Sequence, residues 1–392
     1  MWLSGQLLRN KASLLLCPKS QQSVLNFSAG PAKLPDEVML KAQLEFRNVS
    51  NTGMSVCEMS HRSVDFDSII KQTEKLFQDL MSISSEYRIL FMQGGGSGQF
   101  SAVPLNLLGH SKSESATADY VITGAWSEKG AKEAKKYLKV NPVIQPALKR
   151  YEAIPIQDNW HRNSDASYLY YCSNETIHGV EFPYVPDTSD DVPLICDMSS
   201  NILSKPVDVS KFGLIFAGTQ KNIGTAGLTV VIVRRDLLGK VHSFCPSVLD
   251  YTQTAKAQSL LNTPPTFNIY LTKLVLEWIQ SQGGVEAMEE RNEEKAALIY
   301  DVIRDSDGFY SCPVEAGFRS RMNIPFRIGG ENESLEKQFI QSASQLGMKS
   351  LKGHRSVGGI RASLYNAMSL KETQKLAEFM KEFQTEVELC LN

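Results

Sequence analysis

Three things are scarce in this 392-residue chain, and each absence excludes a class of protein. No apolar run approaches the ~20 residues that a membrane-spanning helix needs. Charge of one sign is not in surplus: 41 basic residues stand against 43 acidic ones, a net of -2, which argues against a nucleic-acid or membrane-surface binder. Paired cysteines are lacking too. The seven cysteines, Cys17, Cys57, Cys172, Cys196, Cys245, Cys312 and Cys390, form no C-x-x-C spacing and no ligand-like cluster with histidine. An odd number in a long chain points to a reduced compartment and away from a disulfide framework or a zinc site, so no metal is expected. Internal repeats and low-complexity tracts are absent as well.

The apolar fraction, 42%, suffices for a large core, and the length predicts two domains, one larger than the other. Residues 1–25 stand apart. They carry Arg9, Lys11 and Lys19 and several leucines, and no acid appears before Asp36. Both a disordered tail and a mitochondrial-type presequence fit them; Leu14 to Cys17 is too short for a secretory core. The expected location is cytoplasmic, or mitochondrial if residues 1–25 act as a presequence.

Lys221 lies in Phe216-Ala-Gly-Thr-Gln-Lys-Asn-Ile-Gly224, between two short apolar runs that read as buried strands, Gly213–Phe216 and Gly227–Val233. A buried lysine is costly unless it is paired or used covalently, and a deprotonated lysine forms a Schiff base with a carbonyl. From this segment alone, a solvated loop lysine fits equally well.

Other strand ends supply a context. Arg88–Met92 reads as a strand, followed by Gln93-Gly-Gly-Gly-Ser-Gly-Gln99 and a helix from Phe100. Strand, glycine loop and helix make a phosphate cradle, whereas the spacing fits neither a Walker loop, a dinucleotide fingerprint nor a nucleophile elbow. Asp119–Trp126 reads as a strand ending on Trp126, with a basic helix over Gly130–Lys139. Ser167–Cys172 is a strand running into Thr176, and Val192–Asp197 is one ending on an acid. In an open parallel α/β sheet, ligands bind outside the carboxyl ends of the strands. A phosphate cradle, an aromatic, an acid and a lysine on one rim are what pyridoxal phosphate requires.

Further on, Leu261-Asn-Thr-Pro-Pro-Thr266 reads as a rigid loop, and Phe267 to Gln282 and Val285 to Ile303 as two helices separated by Gly283-Gly284. Met322–Ile328, Gly347–Lys352 and Gly359–Leu364 are strand-like, Ser334–Leu346 is helical, and the last helix runs over about Lys371 to Leu389. Anion-binding candidates are His61-Arg62, Lys352-Gly-His354-Arg355 and Arg361, since arginine pairs bidentately with carboxylate or phosphate. Two His-Arg pairs with Arg361 suggest a substrate with two anionic ends.

Asn26-Phe-Ser-Ala-Gly-Pro-Ala32, Ser60-His-Arg62, Gln93-Gly-Gly-Gly-Ser-Gly-Gln-Phe100, Asn174-Glu-Thr176, Gly218-Thr-Gln-Lys-Asn-Ile-Gly224, Asn262-Thr-Pro-Pro265 and Lys352-Gly-His-Arg-Ser-Val-Gly-Gly359 occur in order from Asn26 to the last helix. In these motifs the chain resembles the phosphoserine aminotransferase family, a branch of the class V pyridoxal-phosphate-dependent aminotransferases. The resemblance implies a fold-type I α/β architecture: a mainly parallel seven-stranded sheet in a large domain, and a smaller α/β C-terminal domain. It implies residues 1–25 as an extension, 26–284 as the cofactor-binding domain with its N-terminal segment packed on the small domain, and 285–392 as the small domain. It further implies a homodimer with shared active sites.

The implied reaction, in L-serine biosynthesis, moves the amino group of L-glutamate to 3-phosphohydroxypyruvate. The products are O-phospho-L-serine and 2-oxoglutarate, by a ping-pong route. By position, Lys221 would carry the Schiff base and shuttle the proton, Asp197 face the pyridine nitrogen, Trp126 stack on the ring, and Thr176 bond the ring hydroxyl. Gly96, Ser97 and Gln220 would hold the cofactor phosphate, with Asn262 and Thr263 reaching in from the partner subunit. Arg361 would take the substrate α-carboxylate. His61, Arg62, His354 and Arg355 would hold the substrate phosphate or glutamate's side-chain carboxylate. Two positions depart from the bacterial pattern: Ala29 stands for a serine, and Ser97 for an arginine, so that a cation is lost from the glycine loop.

Three other readings stay open at this level. A desulfurase-type lyase would need a mobile cysteine, for which Cys312 is the second-domain candidate. A small-substrate aminotransferase would leave both His-Arg pairs unexplained. A cofactor-binding protein without turnover would leave Lys221, Asp197 and Arg361 without a task.

Overall fold

The computed structural model describes residues 24–110, 116–144 and 151–391; the expectations for residues 1–23 lie outside it. A two-residue strand, β1 (Leu25–Asn26), precedes helices α1 (Asp36–Glu45) and α2 (Val64–Leu80). Ser63 caps α2, its Oγ accepting from Phe66 N at 3.2 Å, and the helix buries Phe66, Ile69, Ile70, Phe77 and Leu80 along one stripe. Strands and helices then alternate: β2 (Tyr87–Met92), α3 (Gly95–Leu107), β3 (Thr117–Val121), α4 (Ala125–Ala134), β4 (Lys139–Pro142) and β5 (Leu169–Cys172). A hairpin of β6 (Asn174–Glu175) and β7 (Val180–Glu181) comes next. It is followed by β8 (Leu194–Asp197), β9 (Leu214–Gly218), β10 (Thr229–Arg234), α5 (Tyr251–Lys256) and α6 (Thr266–Ser281). The rest is α7 (Gly284–Arg304), β11 (Tyr310–Ser311), β12 (Asn323–Ile328), α8 (Glu333–Gln345), β13 (Met348–Lys349), β14 (Ile360–Ser363) and α9 (Leu370–Leu391).

Seven strands form the main sheet in the order β2-β10-β9-β8-β5-β3-β4. β9, β8, β5, β3 and β4 are mutually parallel, and β10 alone runs against its neighbours, antiparallel to both β9 and β2. The sheet is covered on both faces, which is why its central strands are continuous apolar runs without a polar side. Successive side chains point to opposite faces. Tyr171, Cys196 and Ile215 join the core built with α2 and α6, while Tyr170, Ile195 and Phe216 join the one built with α3 and α4.

A smaller antiparallel sheet, β11-β12-β14, packs with α7, α8 and α9 around Phe326, Phe339, Phe379 and Phe383. β1 pairs in parallel with β13, Leu25 opposite Met348 and Asn26 opposite Lys349, and Phe27 joins this same core. The first described residues therefore lie in the C-terminal core, ahead of the strands of the large sheet.

Three local expectations need correction. α3 starts at Gly95, not at Phe100: Gly94 takes the left-handed φ of 93° that turns the chain out of β2 straight into a helix. Glycine's poor helix propensity hid this start. The strand expected to reach Trp126 stops at Val121, and Trp126 sits in the first turn of α4. The basic helix expected over Gly130–Lys139 is this same α4, ending at Ala134; Lys139–Pro142 is instead the edge strand of the main sheet.

Candidate active site

Register places the strand ends on one rim. Cys172 lies opposite Asp197, and Asp197 opposite Phe216. Met92 and Gly218 flank Thr229 from either side of β10, so the α3 N-terminus and the Lys221 turn leave the sheet at the same level. Between them lies a cavity of about 310 Å³. It is lined by Gly96, Ser97, Trp126, Thr176, Asp197, Gln220, Lys221, His354 and Arg361 of the residues expected from sequence.

Lys221 is buried, with 8% of its surface exposed, which excludes the solvated loop lysine. Its turn is anchored on both sides. Gln220 O accepts from Ala32 N at 2.9 Å, and Asn222 Oδ1 accepts from Asn366 N at 3.0 Å. The Lys221 Nζ donates to Thr176 Oγ1 at 2.7 Å and stands 5.7 Å from the centre of the Trp126 ring. Burial lowers the pKa of this amine, against the upward pull of the Asp197 carboxylate. Gly30 crosses the lysine stem so closely that a Cβ there would stand 3.1 Å from Lys221 Cγ, and its φ of 131° is itself unsuited to a side chain.

Asp197 is held from one side. Its Oδ1 accepts from Ser199 N at 2.9 Å and from Ser199 Oγ at 2.6 Å, while Ser199 Oγ accepts from Gly218 N at 3.1 Å. Oδ2 is thereby left toward the cavity. Burial raises the Asp197 carboxyl, and the Ser199 bonds and the Lys221 charge pull it back. Sequence reasoning missed Ser199, although an Asp followed two residues later by Ser is a recognisable local hydrogen-bonding pattern.

The N-terminus of α3 carries no side-chain cap, so its first N–H groups face the cavity unsatisfied by the chain's side chains. Lys129 on α4 donates its Nζ to Ser97 Oγ at 3.2 Å. A neighbouring helix thus brings a cation to the glycine segment where Ser97 itself has none. On the opposite wall, Arg361 NH1 donates to Thr176 O at 3.3 Å, and its buried Nε has no partner among the described residues. Burial, then the charges of Arg361 and Arg355, lower the pKa of the His354 imidazole.

An uncapped helix start, a buried amine, a carboxylate aimed inward, an indole and a half-buried guanidinium share one cavity. This donor set fits a phosphorylated, aromatic aldehyde cofactor with a carboxylate-bearing substrate. The family profile described as Aminotransferase class-V matches residues 24–376.

The chain belongs to the class V aminotransferase family.

Within it, the chain is 55% identical to the phosphoserine aminotransferase of Drosophila melanogaster over 362 residues, 92% of this chain and 98% of that protein. It is 53% identical to the probable phosphoserine aminotransferase of Caenorhabditis elegans, over 92% of this chain and 96% of that one. Among solved structures, phosphoserine aminotransferase from Bacillus circulans subsp. alkalophilus superposes with a TM-score of 0.90 at 44% identity, covering 93% of this chain and 99% of that one. The PLP-bound phosphoserine aminotransferase of Trichomonas vaginalis gives 0.87 at 41% identity, covering 92% and 100%.

The remaining expected residues of this aminotransferase lie outside the lining of the cavity. Arg62, Asn262, Thr263 and Arg355 are exposed and His61 half-buried. Cys312 also lies away from it, packed against the two cores, which removes the observation a desulfurase reading needs. Among the described residues no group of His, Cys, Asp and Glu could hold a metal ion, and no helix is long and apolar enough to cross a membrane.

Proposed function

We propose that the chain is a phosphoserine aminotransferase. It transfers the amino group of L-glutamate to 3-phosphohydroxypyruvate, giving O-phospho-L-serine and 2-oxoglutarate. The cofactor is pyridoxal 5′-phosphate, which when bound supplies an aldehyde for the amine and a ring that accepts the electron pair of the substrate's α-carbon. The observation that carries this reading is the placement of Lys221, Asp197, Trp126 and Arg361 around one cavity, in a chain 50–55% identical to phosphoserine aminotransferases over most of its length.

Each residue's task follows from its setting. Lys221 Nζ, its proton affinity lowered by burial, would carry the proton between the substrate Cα and the cofactor C4′, off Cα in one half-reaction and onto it in the other. Thr176 Oγ1 orients that amine. Asp197 would face the pyridine nitrogen of the bound cofactor with Oδ2, and Ser199 keeps the carboxylate from rotating. Trp126 covers the ring face and excludes water. Backbone N–H groups of Gly96 and Ser97, with Gln220, hold the cofactor phosphate. Arg361 binds the α-carboxylate bidentately. His354 and Arg355 take the distal anion, phosphate in one half-reaction and carboxylate in the other.

The test is a steady-state comparison of phosphohydroxypyruvate with hydroxypyruvate. The phosphorylated substrate should be preferred by at least about 100-fold in kcat/KM, since each charge-assisted hydrogen bond is worth about 1.5–3 kcal/mol. Replacing His354 and Arg355 together by Ala should remove most of that preference. Equal use of the two substrates by the wild-type protein would sink the assignment.

The proposal includes a homodimer in which Asn262, Thr263, His61 and Arg62 serve the partner's cavity. Exposed apolar side chains near their loops support it: Val64 follows the His61 loop, and half-exposed Phe46 packs edge-on against Phe267 beyond Asn262. Mixing two inactive variants, Lys221→Ala and His61→Ala/Arg62→Ala, by refolding together should restore about one quarter of wild-type activity, because half the dimers carry one intact site. No recovery above the parents would show that each chain completes its own site.

The division of the chain near residue 284 into a cofactor-binding and a small domain belongs to this reading. So does the address: cytoplasmic, or mitochondrial where residues 1–25 act as a presequence.

A further inference from the structure

One buried charge beside the cavity has no task in this mechanism. Glu175 is wholly buried, on the strand β6 that carries Thr176 at its end, and does not line the cavity. Its carboxylate accepts three hydrogen bonds, all from the first turn of α4. Oε2 takes Trp126 N at 2.9 Å; Oε1 takes Ser127 N at 2.8 Å and Ser127 Oγ at 2.6 Å. Three residues on, His178 Nδ1 accepts from Ala125 N at 3.3 Å. Burial pushes this imidazole down to about 4, so it is neutral and able to accept.

Three successive N–H groups of one helix start thus end on side chains of one hairpin. A helix N-terminus favours negative charge, and charge-assisted bonds are the strong ones. Burial nonetheless pushes the Glu175 carboxyl up to about 7, against the pull of those bonds. A serine or asparagine would cap a helix without that burial penalty. Space has also been cleared for the carboxylate. A Cβ on Gly124 would stand 2.3 Å from Glu175 Cδ, although the φ of 175° there is open to any residue.

What the clamp holds is the residue that enters the cavity. The Trp126 indole Nε1 is buried and makes no hydrogen bond among the described residues, so no hydrogen bond of its own orients the ring: it packs on the core and lies under Lys129 Nζ and Lys221 Nζ, while its backbone is held by the clamp. The same strand continues into Thr176, which touches both Lys221 and Arg361.

We propose that Glu175 is a positioning residue: it holds the first turn of α4 so that the Trp126 indole lies in register with Lys221 across the cofactor. This rests on the reading that Trp126 covers the cofactor ring. A plain helix cap would contribute stability alone, and the two roles separate in a double-mutant cycle on the holoprotein.

The variants are Glu175→Gln, Gly124→Ala, Trp126→Ala and Glu175→Gln/Trp126→Ala, read by the visible circular dichroism of the bound cofactor and by its dissociation constant. In Glu175→Gln the amide oxygen can still serve Ser127, but its NH₂ meets the Trp126 N–H. Weaker cofactor binding by about tenfold, with an altered dichroic band, is expected. Gly124→Ala, which displaces the carboxylate but keeps its charge, should shift both readouts the same way, and it decides the matter if Glu175→Gln does not fold. In the Trp126→Ala background, Glu175→Gln should add less than about twofold. An equal loss in both backgrounds, or a lowered melting temperature with unchanged band and affinity, would overturn the proposal. If Trp126→Ala itself left band and affinity unchanged, the reading of Trp126 would fail, and the positioning role with it.

Discussion

Lys221→Ala is expected to lower turnover by about 10³-fold or more, since it removes both a covalent anchor and the proton carrier. The structural argument has two parts. The amine is buried with a depressed proton affinity, so it can be neutral where it must accept a proton. It is also aimed: Thr176 Oγ1, Trp126 and the Gly30 backbone fix the side chain from three directions. Lys221→Arg should not rescue, because a guanidinium stays protonated and can neither form the Schiff base nor accept the proton. The measurement is kcat for the glutamate half-reaction, together with borohydride reduction and mass analysis of the peptide around residue 221. Wild-type protein should retain the cofactor covalently and the alanine variant should not. Covalent retention on another lysine at undiminished turnover would reassign the anchor.

Asp197→Asn is the second large effect. The substitution is nearly isosteric, and the asparagine oxygen can accept both Ser199 bonds now taken by Oδ1. The fold should therefore survive. What changes is the group facing the cavity, where a donating NH₂ replaces Oδ2 and no charge remains to keep a ring nitrogen protonated. Turnover should fall on the order of 10²–10³-fold, the range for removing one preorganised electrostatic partner. Thermal stability should not fall, because burial already disfavours the ionised form of Asp197. Activity within threefold of wild type would mean that Asp197 has no part in the chemistry.

Much of the rim was legible in the sequence because an α/β pattern constrains it. Short apolar strands announce their own ends, and Asp197, Thr176 and Lys221 follow directly upon those ends. Trp126 is a rim residue on a helix where the sequence predicts a strand, since the start of that helix is held by Glu175, 49 positions beyond Trp126, and leaves no local signal. The start of α3 was hidden for the opposite reason: its residues are poor helix formers, and only the left-handed Gly94 and the packing of Phe100 and Val103 reveal it. The β1–β13 pair joins residues over 300 positions apart and leaves no local signal. His61, Arg62, Asn262 and Thr263 carry recognisable side chains, but one chain does not show what they face.

That parallel pair bears on the order of synthesis. Residues 25–32 are made well before their partners, which lie over 300 positions further along the chain. β1 waits for Met348 and Lys349, and the Ala29 carbonyl waits for the Tyr365 hydroxyl, which donates to it at 2.7 Å. Until then the Gly30 segment is held over Lys221 only by the Ala32 N–H to Gln220 O bond, and the cavity lacks its Arg361 wall. A stop before Met348 would leave Lys221 and the whole seven-stranded sheet encoded while removing the β1 partner strand, His354 and Arg361 from the site.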